Sequence, residues 1–345
     1  MRKKCLAGIM VLCLLLSMMP TMAFATEAEC TKTEGCTAVA HEEGCPAADP
    51  AGGGDGNDPT VLLDEPADGY TEWTSTDSLP TSGTYRLATN VTVTEKTTVG
   101  GWASSRPETP AKVLTLDLNG HTITATDGQA FFVQTSGGLV IEDSKGNGKI
   151  TNQDAGSSNL IYVGGSFELK SGTLENAASN GYALFLNSSS TATLSGGTVI
   201  NTAKGGSAVQ VNSSANLTMT AGEIQNTVDG GNAVYVNGNA GTFTMEGGKV
   251  TQESTYSSSA AIYANNSATS VSISGGEVVS NSMGVYAAFT PVSVTGGTFQ
   301  TESHAFQTRN TTIEPAAGKT VSVDSEGAVF YTFSESNNKI VDGEF

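Results

Sequence analysis

Apolar and polar residues alternate in short runs along most of this chain, and the runs repeat. A-V-Y-V-N (Ala233–Asn237) returns as A-L-F-L-N (Ala183–Asn187), A-V-Q-V-N (Ala208–Asn212), A-I-Y-A-N (Ala261–Asn265) and G-V-Y-A-A (Gly284–Ala288). A second word recurs out of phase with the first. Its copies are F-E-L-K-S-G-T-L (Phe167–Leu174), A-T-L-S-G-G-T-V (Ala192–Val199), L-T-M-T-A-G-E-I (Leu217–Ile224), F-T-M-E-G-G-K-V (Phe243–Val250), V-S-I-S-G-G-E-V (Val271–Val278) and V-S-V-T-G-G-T-F (Val292–Phe299). Alternation with period two predicts strands with one face buried, and the glycines between them predict tight corners.

The matching glycines are Gly172, Gly197, Gly222, Gly248, Gly276 and Gly297, spaced 25, 25, 26, 28 and 21 residues apart. A unit this short cannot bury its own apolar face, whereas stacking one unit on the next can. The economical solution is an all-β solenoid, a parallel β-helix of about nine coils between Val113 and Phe333, with like strands paired about 4.8 Å apart. A β-propeller needs blades of roughly 40–50 residues, too long for this period. Leu118, Leu169, Leu194, Met219, Met245, Ile273 and Val294 are expected to form one interior stack. Ile123, Ile150, Leu174, Val199, Ile224, Val250, Val278 and Phe299 are expected to form the next.

In the first word Val234 and Val236 share one face, with Leu184/Leu186, Val209/Val211, Ile262/Ala264 and Ile161/Val163 in the same places. The other face carries Phe132, Tyr162, Phe185, Gln210, Tyr235, Tyr263, Tyr286, Gln307 and Phe330. A buried glutamine needs several partners, so this column is expected to face solvent. Tyr162, Phe185, Gln210, Tyr235, Tyr263 and Tyr286 are the candidate glycan-binding residues, since flat rings at even spacing can stack on sugars. Two other readings stand: the rings only stabilise the sheet by cross-strand contact, or the column is inverted and packs inside. Asn187, Asn212, Asn237 and Asn265 are expected to turn the corner and ladder their amides.

The opening L-T-L-D-L-N-G-H-T-I (Leu114–Ile123) and the h-x-h-S-G-G-T-h words resemble right-handed parallel β-helix proteins of the pectate-lyase-like superfamily. They resemble most the adhesin-type surface proteins secreted by Gram-positive bacteria. The resemblance covers about residues 73–335. It implies the fold and the right-handed coil; the superfamily hosts lyases, hydrolases, adhesins and inert stalks, so it leaves activity open.

The ends divide the chain further. M-R-K-K, an apolar run from Leu6 to Met19 and Ala23-Phe24-Ala25 describe a signal peptide over residues 1–25, hence export to the cell surface or beyond, with no membrane insertion after cleavage. Residues 26–60 are an acidic flexible stub, 61–110 an N-terminal cap with the first strands, 111–335 the β-helix and 336–345 a tail. The stub holds Cys30, Cys36, His41 and Cys45. An odd number of thiols in an exported protein suggests one disulfide and a spare thiol for a disulfide-linked partner. A Cys₃His zinc site over the same residues is the alternative, with spacing unlike common structural zinc sites.

The formal charge is −18. Without the signal's three cations and no acid it becomes 13 − 34 = −21. Such a surface excludes nucleic acid and anionic lipid as partners and disfavours a polyanionic substrate. No nucleotide, metalloprotease or serine-hydrolase motif is present, and no cofactor is expected. Glu223 and Glu277 occupy the place that Lys249 fills between them, a charge ladder rather than a catalytic pair. His121 follows the Asn119-Gly120 turn and reads as a solvated turn residue. The sequence therefore predicts a non-catalytic adhesin or glycan-binding module whose partner is a glycan or a host-surface protein. The alternatives are a lyase or glycoside hydrolase on the same fold and a structural stalk.

Overall fold

The computed structural model describes residues 69–308 except 154, 155 and 268, and the backbone of three two-residue strands, Ile313–Glu314, Val329–Phe330 and Lys339–Ile340. The signal segment, the cysteine stub with Cys30, Cys36, His41 and Cys45, and most of the tail lie outside the described residues. No described residue is helical.

The chain is a parallel β-solenoid with three sheets, here called A, B and C in the order each coil visits them. One coil is Ser166–Leu169 in sheet A, Thr173–Asn176 in sheet B and Tyr182–Leu186 in sheet C. Each strand pairs in parallel with its counterpart one coil away. A first coil runs through Gly83–Leu87, Val91–Val93 and Thr97–Val99. About eight further coils follow between Lys112 and Thr308, close to the nine expected. Past them the pairing changes direction. Val329–Phe330 lies antiparallel on Phe306–Thr308, and Lys339–Ile340 antiparallel on Thr298–Thr301. Phe330 therefore does not extend the parallel column in which the sequence placed it.

The interior is built from stacks of like residues. In sheet B, Val91, Ile123, Ile150, Leu174, Val199, Ile224, Val250, Val278 and Phe299 lie in one register and are buried. In sheet A, Leu169, Leu194, Met219, Met245, Ile273 and Val294 stack as expected. The head of that stack is Ile141 and Leu116, not Leu118. Leu118 is also buried, but past the end of its strand, Lys112–Asp117. In sheet C the pairs Ile161/Val163, Leu184/Leu186, Val209/Val211, Val234/Val236 and Ile262/Ala264 align. Full burial of an aliphatic side chain stabilises by roughly 1.5–3 kcal/mol, and each coil supplies several.

From Ser166 on, the corner between sheets A and B is uniform. It comprises residues 170–172, 195–197, 220–222, 246–248, 274–276 and 295–297 in successive coils. Its last residue is always glycine with positive φ, +82° at Gly222. A Cβ on Gly222 would lie 2.6 Å from the carbonyl oxygens of both Gly196 and Gly197. The preceding position accepts Ser171 and Ala221, so the left-handed backbone is the stricter demand.

At the end of each sheet B strand runs a buried amide ladder. Asn152 Nδ2 donates to Asn176 Oδ1 (3.1 Å), Asn176 Nδ2 to Asn201 Oδ1, Asn201 Nδ2 to Asn226 Oδ1 and Asn226 Nδ2 to Gln252 Oε1, the last three at 2.7 Å. The same nitrogens donate to the carbonyls of Ala178, Ala203 and Val228, which close the turn into sheet C. Each amide thus ties its own corner and the next coil, and satisfies polar atoms that water does not reach. The ladder expected at Asn187, Asn212, Asn237 and Asn265 is shorter. Asn212 Nδ2 reaches Asn187 Oδ1 at 3.4 Å, and Asn187 Nδ2 donates to the Tyr162 hydroxyl instead.

Candidate functional site

The face of sheet C that points away from the core carries the ring column. Thr98, Phe132, Tyr162, Phe185, Gln210, Tyr235, Tyr263, Tyr286 and Gln307 pair coil by coil in one register. The rings are half-buried and on the outside, so the inverted arrangement is excluded. Phe132 and Tyr162 have centroids 5.0 Å apart, and Tyr162 stacks on Phe185 at 5.3 Å with an interplanar angle of 27°. Tyr263 stacks on Tyr286 at 4.8 Å and meets Tyr235 edge-on at 5.4 Å. Aromatic pairs in these geometries stabilise by about 0.5–1.5 kcal/mol beyond their area. The rings therefore brace the sheet. Stacked rings cover one another's faces, so along the column they present edges and hydroxyls, with open faces where the rings tilt and at the ends.

Gln210 divides the column into a head half, Phe132–Tyr162–Phe185, and a tail half, Tyr235–Tyr263–Tyr286. It is only 8% exposed, although it lies on the outer face. Phe185 and Tyr235 flank it in register, and Tyr182, 5.8 Å from Phe185, is one coil away in the adjacent column. Burial pushes the phenols of Tyr182 and Tyr235 above the ordinary tyrosine range, and the proximity of Tyr235 adds to the effect at Tyr182. Both stay protonated at neutral pH and can donate and accept hydrogen bonds.

At the head of the column lies a cleft of about 740 Å³, lined by Glu95, Lys96, Asp127, Gln129, Phe132 and Tyr162 among others. Lys96 Nζ sits 5.5 Å from the centre of the Phe132 ring. On the other side Trp102, 71% exposed, meets Phe132 edge-on at 5.8 Å. The Gln134 amide oxygen, turned to face the Trp102 indole N–H, accepts from it at 2.9 Å. Trp102, Lys96 and the cleft were missed in the sequence because they lie outside the repeats. A lone tryptophan in a polar stretch was the available signal.

Other acids lie on sheet B and in the corners from sheet B to sheet C. Glu223, Lys249 and Glu277 are in register on sheet B, with Lys249 Nζ 3.5 Å from Glu277, and Lys149 Nζ is 2.7 Å from Glu175. This is the expected charge ladder. Asp229 and Glu253 line a second depression of about 550 Å³ beside Lys204. His121 occupies the corner after Leu118, its backbone N–H donating to the Leu118 carbonyl. Among the described residues no three His, Cys, Asp or Glu side chains gather where they could hold a metal ion.

These features define a parallel β-solenoid with a ring column on one sheet. No family model, no curated protein and no solved structure matches the chain.

Proposed function

We propose that this chain is an exported β-solenoid of the adhesin type that binds glycan through the outer face of sheet C. The observation that supports it is the outward column of half-exposed rings, which leads into a cleft bordered by hydroxyls, amides and carboxylates. Ring surface beside hydrogen-bonding groups suits pyranose rings, which offer C–H faces and hydroxyl edges. The test is a glycan array probed with residues 26–345 and with the Tyr162→Ala/Tyr263→Ala double variant, which removes a ring from each half. Loss of every wild-type signal in a folded variant is expected. An unchanged binding pattern would sink the proposal.

One observation favours a carbohydrate-active enzyme as the second reading. Glu95, Asp127 and Lys96 line the same cleft, and glycoside cleavage needs two carboxyl groups across the bond. Release of new sugar ends from a bound polysaccharide, abolished by Glu95→Gln or Asp127→Asn, would establish it. Binding without product would exclude it.

A further inference from the structure

Residues 100–111 break the regularity of the solenoid. The corner between sheets C and A comprises only residues 187–190, 213–215 and 265–269 in later coils, but 100–111 in the first. This longer segment is fastened to successive coils. Gly101 N–H donates to Ser136 Oγ, and Ser136 N–H donates to the Gly101 carbonyl, one coil on. Arg106 Nε donates at 2.9 Å to the carbonyl of Ser189, in the corner that follows Phe185. The segment therefore runs along the solenoid beside Phe132, Tyr162 and Phe185, at the ends of their strands. At the starts of the same strands stand Asp127, Gln129, Ser157 and Asn159, all lining the cleft. The tail half has no counterpart to this segment, because the corner there is short.

We propose that the head half of the column is a walled recognition groove, with residues 100–111 as one wall. Its ligand is an uncharged oligosaccharide lying along Phe132, Tyr162 and Phe185. This rests on the glycan-binding reading above and narrows it to one half of the column and one ligand class. Trp102, 71% exposed, adds an open ring face to the few that the column leaves where its rings tilt and at its ends. Glu95, Asp127, Gln129 and Asn159 supply acceptors for sugar hydroxyls. Two carboxylates against one ammonium in the cleft, on a chain of formal charge −18, repel uronate sugars.

The test is titration calorimetry on the full exported chain. Cellohexaose, xylohexaose and mannohexaose serve as uncharged probes and hexagalacturonate as the anionic one. Trp102→Ala and Tyr162→Ala should each weaken the best uncharged probe about tenfold or more, the effect of losing one stacking platform. Tyr263→Ala should change it less than about twofold. Arg106→Ala frees the wall without touching a ring and should weaken binding as Trp102→Ala does, with an unchanged melting temperature. If Tyr263→Ala abolishes binding while Trp102→Ala leaves it intact, the groove is wrong and the column reading survives. Hexagalacturonate bound as tightly as the best uncharged probe overturns the ligand class. No binding of any probe, with an empty glycan array, overturns the column reading itself.

Discussion

Replacing Asn201 with alanine cuts the buried amide ladder in its middle. Asn201 accepts from Asn176 and donates to Asn226 Oδ1 (2.7 Å) and to the carbonyl of its own turn at Ala203 (2.8 Å). After truncation Asn176 Nδ2 keeps the Ala178 carbonyl, but Asn226 Oδ1 and the Ala203 carbonyl lose their donor. Each orphaned buried polar group costs about 1–3 kcal/mol, so the substitution should cost about 3–5 kcal/mol. The control is Asn237→Ala, an outer-face amide with no side-chain hydrogen bond to another described residue, which should cost about 0.5 kcal/mol or less. Urea unfolding followed by far-UV circular dichroism gives the two differences. Because coils contact only their neighbours, hydrogen exchange should also show protection lost first in the coils around residues 176, 201 and 226. A cost for Asn201→Ala no larger than for Asn237→Ala would refute the ladder as a source of stability.

Gly222→Ala should cost about 3 kcal/mol, since φ is +82° and the new methyl meets two carbonyl oxygens at 2.6 Å; Gly146→Ala, at φ +73° with open space around it, should cost about 1 kcal/mol by the same unfolding assay. Asp117, 1% exposed, should make the first coils acid-sensitive. Its burial raises the carboxyl's pKa, but the Arg86 guanidinium at 2.7 Å and the N–H groups of Ser144 and Asn119 together outweigh burial and hold it below the ordinary carboxylate range. A depressed folded value means stability present above the unfolded value of about 3.9 and lost as pH falls through the folded one. Wild type should therefore melt higher than Asp117→Asn at pH 7, and the gap should narrow below about pH 4; a gap constant with pH would count against the account.

Much of the fold could be read from alternation alone. Val234 and Ile262, like Ile224 and Val250, fall in register because identical side-chain types recur at one coil's spacing. Leu118 stands five residues before Ile123, as Leu169 stands before Leu174, so the spacing of the word puts it one alternation too far along. The corner after Asp117 has four residues, against three in the repeats from Ser166 on, with Asn119 (φ +51°) and Gly120 (φ +80°) both left-handed, and it is held by the Asp117 and Asp143 carboxylates. The buried amides had a periodic signal, recurring at separations of 24, 25, 25 and 26 residues. It was overlooked because a terminal Asn in T-L-E-N or T-V-I-N reads as the polar end of a strand. The outward direction of the rings was legible from Gln210 and Gln307. Trp102 and the segment 100–111 were not, since an aperiodic segment gives no register and its position depends on Ser136 and Ser189, distant in sequence.

The corner from sheet A to sheet B keeps one length in the six coils compared above, while the corner from B to C varies: residues 177–181, 202–206, 227–233, 253–259 and 281–282. From Ser166 on, the two edges of sheet B thus differ, one corner keeping a single length and the other taking several. Where the glycine corner repeats, a Cβ at its last position would meet carbonyl oxygens of the preceding coil, as at Gly222, and the longer corners of that edge, 118–121 and 143–148, fall before the repeat begins, whereas the other corner changes length beside the starts of the ring-bearing strands. Sequence change can rework the rim of the ring-bearing face while the spring beneath it keeps its pitch.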